Sequence, residues 1–228
     1  MEQRMSKYEN VLHMETENSA SIILKNVRAG TEVLEFGAGN GYMTKYMHEA
    51  LGCEVFAVEL DETHIGELDK HTEGYLVGNP DGDIEKYNWV GCGVFDYILF
   101  ADVLEHLRDP LTVLKKSAEL LYEGGSILIS VPNVSHNSII IDLINNNFEY
   151  RELGLLDNTH IHLFARKSLL KMVGDAGLKV VKEMNTRCAV DKTEFGNKLS
   201  DVPKEVHQYL NKRLDGNIYQ FIWELRLR

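Results

Sequence analysis

Two acids and three glycines carry the clearest chemistry in this chain. Glu35 precedes Gly37, Gly39 and Gly41, and Glu59 closes the next apolar run, Val55-Phe56-Ala57-Val58. Glycines so spaced let the main chain come close to a bound group. A carboxylate delivered to the same rim accepts hydrogen bonds from ribose hydroxyls. The pattern therefore asks for a nucleoside-bearing ligand held where two strands end. Its spacing is not that of a dinucleotide site, which needs G-x-G-x-x-G. Counted from Gly37, the third glycine's place is held by Tyr42; counted from Gly39, by Thr44. A negative charge at Glu35 would also repel a pyrophosphate and attract a cation. A sulfonium ligand with an amino-acid tail suits the rim better, with Glu35 toward its positive end and Glu59 toward its ribose.

At these residues the chain resembles the class I S-adenosylmethionine-dependent methyltransferases, whose motif is E/D-x-G-x-G-x-G. Three later segments extend the resemblance over roughly residues 30–185. Phe95 to Leu107 resembles the fourth strand and the loop after it. Leu121 to Asn133 resembles the stretch leading through strand five. Asp157-Asn158-Thr159-His160-Ile161-His162-Leu163-Phe164, followed by Ser168-Leu169-Leu170 and Ala176-Gly177-Leu178, resembles a small-molecule subgroup often associated with sugar or polysaccharide modification. The resemblance implies S-adenosylmethionine as cofactor. It implies cofactor contacts from Glu35, Gly37, Gly39, Gly41, Glu59, Leu60, Ala101, Asp102 and His106. Gly82-Asp83-Ile84-Glu85 resembles the loop in which an Asp meets the adenine amino group. That adds Asp83 and Ile84, with Asp81 as the alternative to Asp83.

Methyl transfer from a sulfonium is a direct displacement with a neutral leaving group. The protein must mainly place the acceptor in line with the methyl and exclude water. An alcohol acceptor also needs a base. His160 is the first candidate, with His136 and His162 next, and Asp157 is placed to orient one of them. In an extended segment His160 and His162 would share a side. His13, His48, His64, His71 and His207 are expected on the surface. A metal site drawn from Asp102, His106, His136, His160 and His162 lacks any short ligand spacing, so none is assigned. Tyr8, Tyr42 and Trp89 are candidates to cover the pocket.

These residues need a doubly wound frame to bring them together. The expected class is α/β: a Rossmann-like, seven-stranded, mostly parallel sheet with an antiparallel last strand and helices on both faces. Strands are expected near 31–36, 54–59, 74–78, 95–101, 126–131, 178–184 and 217–226. The unbroken apolar runs at 95–101 and 126–131 fit strands covered on both faces. Helices are expected near 17–27, 41–50, 62–70 (capped by Asp61), 137–145, 166–176 and 203–213. Another starts at Asp109-Pro110 and stops at Gly124-Gly125. One domain spans 1–228, with a lead-in over 1–30 and an acceptor-site lid over 134–165.

Composition narrows the partners. The 228 residues are 44% apolar and 26% charged, with a net charge of −11. That balance speaks against nucleic acid, which draws on clustered Lys and Arg; Lys115-Lys116 and Arg166-Lys167 are only pairs. No apolar run reaches the roughly 20 residues that span a bilayer. Three scattered cysteines, Cys53, Cys92 and Cys188, suit a reducing cytoplasm. The expected activity is methyl transfer to a small molecule, O-methylation favoured, with a sugar or glycan precursor as the narrower form. The alternatives are N- or C-methylation of another metabolite and a non-catalytic cofactor-binding module. Val131-Pro132-Asn133-Val134 lacks the tandem prolines and aromatic of amide-nitrogen methylating enzymes. A nicotinamide oxidoreductase is disfavoured by Tyr42.

Overall fold

The computed structural model describes residues 12–78 and 95–228. Five parallel strands form most of the sheet: β1 (Glu32–Phe36), β2 (Glu54–Glu59), β3 (Gly74–Val77), β4 (Phe95–Ala101) and β5 (Leu121–Pro132). β6 (Leu178–Glu183) and the two-residue β7 (Thr186–Arg187) both pair antiparallel with β8 (Ile218–Leu227), which itself lies antiparallel to β5. The order is β3-β2-β1-β4-β5-β8-β6. This is the expected mostly parallel sheet with its antiparallel last strand, plus β7. Two residues are too few to leave a periodic signal, so β7 is invisible in the sequence.

Alternation along the strands fills two cores. Val33, Leu99, Leu128 and Ile222 meet α1 (Ser19–Leu24) and α2 (Tyr42–Leu51) through Ile23, Leu24, Met43 and Met47. On the other face Leu34, Phe36, Ile98, Phe100 and Ile129 meet α4 (Pro110–Ala118) and α6 (Arg166–Asp175) through Val113, Leu114, Leu169 and Val173. Phe36 stacks on Phe100 with ring centroids 4.7 Å apart. Each such burial contributes roughly 1.5–3 kcal/mol. A smaller cluster joins α5 (Asn137–Ile144) to α7 (Lys204–Lys212) through Ile141 and Leu210.

Two boundaries differ from expectation. The helix after Asp109 ends at Ala118, not at Gly124-Gly125, and β5 begins at Leu121. Gly125 serves the sheet instead: a Cβ there would lie 3.0 Å from the carbonyl oxygens of Phe95 and Asp96, where the β4–β5 register shifts. Asp61 caps as expected, through Thr63 N, but its helix is split into a 3-10 turn (Glu62–His64) and a short α3 (Ile65–Leu68). Gly66 lies inside α3 and weakens it.

The topology positions the site. From β1 the chain runs outward to β3, then returns to β4 on the other side of β1. A crevice opens where the direction reverses, at the carboxyl ends of β1 and β4. Among the described residues no helix is long and apolar enough to cross a membrane. Cys53 and Cys188 are free thiols.

Candidate functional site

A cavity of about 610 Å³ opens at the carboxyl ends of β1, β2 and β4. That volume suits a ligand of nucleoside size with room beside it. Six acids, Glu35, Glu59, Asp61, Asp102, Glu105 and Asp157, are among its described lining residues, and no Lys or Arg is. Such a wall favours a cation.

The turn after β1 is built from left-handed glycines. Gly37, Gly39 and Gly41 have φ of 69°, 54° and 75°, a region costly for other residues. At Gly37 a Cβ would also press to 2.7 Å from Val103 Cγ2, whereas the space outside Gly39 is open. Gly41 ends the turn as the N-cap of α2 and does not line the cavity. Glu59 braces the turn from β2. Its Oε2 accepts from Gly39 N at 2.6 Å, and its Oε1 from the N–H groups of Leu60 and Asp61 at 2.8 and 2.9 Å. Oε2 keeps acceptor capacity for one more donor. Glu35, 2% exposed, accepts from Thr44 Oγ1 at 2.6 Å. Burial pushes its carboxyl up to about 7, the Thr44 bond opposes this, and the charge of Glu59 adds to it. Tyr42 lines the cavity, and burial raises its hydroxyl pKa.

The wall after β4 is made of side chains. Ala101 and Asp102 end the strand, and Asp102 has a φ of 55°. Its Oδ1 accepts from Ser130 Oγ at 3.0 Å and Gln220 Nε2 at 2.8 Å, and its Oδ2 from Ser19 Oγ at 3.3 Å. Burial raises its pKa, and these bonds pull it back. Asp102 thus ties β4 to β5, β8 and α1 while facing the cavity. A 3-10 turn, Leu104–His106, then presents Glu105 and His106. Glu105 is 1% exposed, and neither carboxylate oxygen accepts a hydrogen bond. Burial, with the charges of Asp102 and Asp157 behind it, holds its pKa well above the carboxylate range.

The segment between α5 and α6 closes this wall. Leu153, Leu155, Asp157, Thr159 and His160 line the cavity from it. Asp157 Oδ1 accepts from Thr159 N and Oγ1 at 2.8 and 2.7 Å, and Ile161 N and His162 N both donate to the Glu105 carbonyl. His160 Nε2 lies 4.0 Å from Glu105 Oε1, and its ring meets the His106 ring edge-on at 4.9 Å.

The three candidate bases separate. His160 faces the cavity, 9% exposed. His136 does not: it caps α5 through Nδ1, which accepts from Ser138 N, and its Nε2 bonds the Cys188 carbonyl at 3.0 Å. Burial lowers its pKa, as suits a neutral structural ring. His162 turns away as well, its Nε2 3.2 Å from the Arg108 carbonyl and its ring stacked on Phe164. The shared side expected for His160 and His162 fails because the segment is a turn zipped onto Glu105. Of the histidines expected at the surface, His13 is exposed, while His48, His64, His71 and His207 are half-buried, and His64 lines the cavity. Leu60 is exposed at the rim. Asp83 and Ile84, like Asp81, Tyr8 and Trp89, lie outside the described residues. Glu105, Thr44 and Gln220 were not singled out from sequence. The signal for Glu105 was its place beside His106 just past an apolar strand.

A family model described as "Methyltransferase domain" matches residues 12–183. The ubiquinone biosynthesis O-methyltransferase of Acinetobacter baylyi is 27% identical over 157 residues, 67% of this chain and 65% of that protein. The chain spans just under two thirds of the length of the curated relatives it first matches. Among solved structures, a TehB-like SAM-dependent methyltransferase from Corynebacterium glutamicum superposes with a TM-score of 0.57 at 16% identity, covering 96% of this chain and 90% of the other. The magnesium protoporphyrin IX methyltransferase of Synechocystis with bound SAH gives 0.57 at 14% identity, covering 92% and 80%. At such identities the structures establish the fold.

Proposed function

The chain belongs to the S-adenosylmethionine-dependent methyltransferase family by its matched domain and its fold, and from that premise we propose that it methylates a hydroxyl of a small-molecule acceptor. The observation that carries the reading is the acid-lined cavity beside an open glycine turn. The residues fit the cofactor: the face of Gly39 has space for it, Oε2 of Glu59 has capacity for a ribose hydroxyl, and Glu35 offers a buried carboxylate to a positive group. When bound, S-adenosylmethionine supplies an activated methyl on a sulfonium. The protein's own part is to hold the acceptor, keep water out and take up a proton. The buried Leu107 and Leu155 give the β4 side of the cavity an apolar wall, and His160, which lines the same cavity, is the ring proposed to receive the hydroxyl proton.

O-methylation is supported by the similarity to ubiquinone biosynthesis O-methyltransferases. The leucines favour an acceptor with an apolar ring or chain. The sugar or glycan-precursor acceptor implied by the motif resemblance is the narrower alternative. The absence of Lys and Arg among the described lining residues suits a small ligand over nucleic acid, and a cytoplasmic site of action belongs to the same reading. The test is transfer of labelled methyl from S-adenosylmethionine to panels of apolar phenols, sugars and amines. Label in an ether supports the proposal; label only in amines, or binding of NADH but not of the sulfonium, overturns it.

A further inference from the structure

We infer that Glu105, His106 and His160 form a binding site for one divalent transition-metal ion, zinc being the ion that best matches a carboxylate and two imidazoles. One ligand atom from each lies within 4.8 Å of the others. Zinc at about 2.0–2.1 Å from each ligand holds its donors roughly 3.4 Å apart, so side-chain rotations close the set. Glu105 points to a ligand independently. It is 1% exposed in a cavity with no Lys or Arg among its described lining residues, and neither of its oxygens accepts a hydrogen bond. A buried carboxylate is costly unless paired or metal-bound.

The surroundings are those of a held ligand set. His106 Nδ1 lies 3.2 Å from the Thr159 carbonyl oxygen, to which it donates as the protonated nitrogen. That tautomer leaves the lone pair on Nε2, the arrangement by which a carbonyl orients a metal-binding imidazole. The Glu105 carbonyl accepts from Ile161 N and His162 N at 2.9 and 3.0 Å, which fixes the loop carrying His160 against the turn carrying Glu105 and His106. Neighbouring positions in the turn and a third residue more than fifty positions on are thus held together by main-chain bonds. Three protein ligands leave a coordination position open to the cavity. Resting on the proposed hydroxyl acceptor, that position would take its oxygen. The O–H bond would then break more readily, its electron pair staying on oxygen and its proton passing to solvent through the cavity mouth, because a metal-bound His160 has no lone pair left to receive it. The ion would take over the part that His160 plays in the metal-free site.

The test uses the full-length, tag-free protein stripped with chelator and titrated with zinc alone by calorimetry. Cobalt(II) titration, followed by its visible spectrum, is a second readout. Expected is one ion per chain, with affinity at least about tenfold weaker in Glu105→Gln and in His106→Asn, and a cobalt spectrum lost in both. Thermal melts of the stripped proteins check that both variants fold. If Glu105→Gln unfolds, His106→Asn alone carries the test. No stoichiometric zinc, or zinc bound equally by a folded variant, overturns the inference. S-adenosylhomocysteine titrated into the stripped protein separates the two proposals: its failure to bind would count against the methyltransferase reading, and failure of zinc only against this one.

Discussion

Glu59, on the β1–β2 side of the cavity, takes hydrogen bonds from three main-chain N–H groups, whereas Glu105, on the β4 side, takes none. The two acids line one cavity. The first is held by a glycine turn and its own following loop, so its position is set before any ligand arrives. The second is buried among carboxyls and leucines, where ionisation is disfavoured without a counter-charge. One side is therefore preorganised by backbone. The other is assembled from side chains on three separate segments, and its charge is completed by what binds.

The comparison breaks most visibly at His160. With His160→Ala, turnover is expected to fall roughly 10²–10⁴-fold, while affinity for S-adenosylhomocysteine by calorimetry stays unchanged. A parallel loss of affinity would mean the two sides are not separable. Glu35 gives the next effect. Its carboxyl holds a proton to about 7 in the fold against an ordinary value of 4.5. The folded state thus binds the proton more tightly, and this stability is full below 4.5 and lost as pH rises through about 7. Urea denaturation should show wild type losing roughly 3 kcal/mol relative to Glu35→Gln between those limits. Identical pH profiles would remove Glu35 from the account.

Glu59→Ala is expected to weaken cofactor binding by roughly 1–3 kcal/mol, measured by calorimetry. Unchanged affinity would show that the braced carboxylate is not the ribose anchor. The smallest effect belongs to His162, whose ring faces the Arg108 carbonyl. His162→Ala should cost about 1 kcal/mol of stability or less and leave turnover at the wild-type level. A large loss of turnover would put that ring back in the reaction.

The backbone-built side was readable from the letters. Its left-handed glycine turn and the bounds of β2 and β4 fall where expected, and Glu35, Gly37, Gly39 and Glu59 line the cavity while Gly41 does not. The requirements are local, since a left-handed turn needs glycine and a strand covered on both faces needs an unbroken apolar run. The Asp109-Pro110 start of α4 was readable for the same reason. The side-chain-built side was only partly readable. His160 reaches the cavity, but Glu105 matters through burial, which no local pattern reports. His136 and His162 looked equivalent to His160 in sequence, and long-range carbonyl partners, Cys188 and Arg108, take them elsewhere. Gly124-Gly125 has the letters of a helix stop, and only the closeness of β4 shows Gly125 serving the sheet.

The most direct measurement is a crystal structure of the protein with S-adenosylhomocysteine. The account predicts ribose hydroxyls at Glu59, the main chain of Gly37 and Gly39 against the ligand, and its sulfur turned toward Glu105 and His160. A ligand lodged elsewhere, or seated with its sulfur away from the β4 wall, would contradict it.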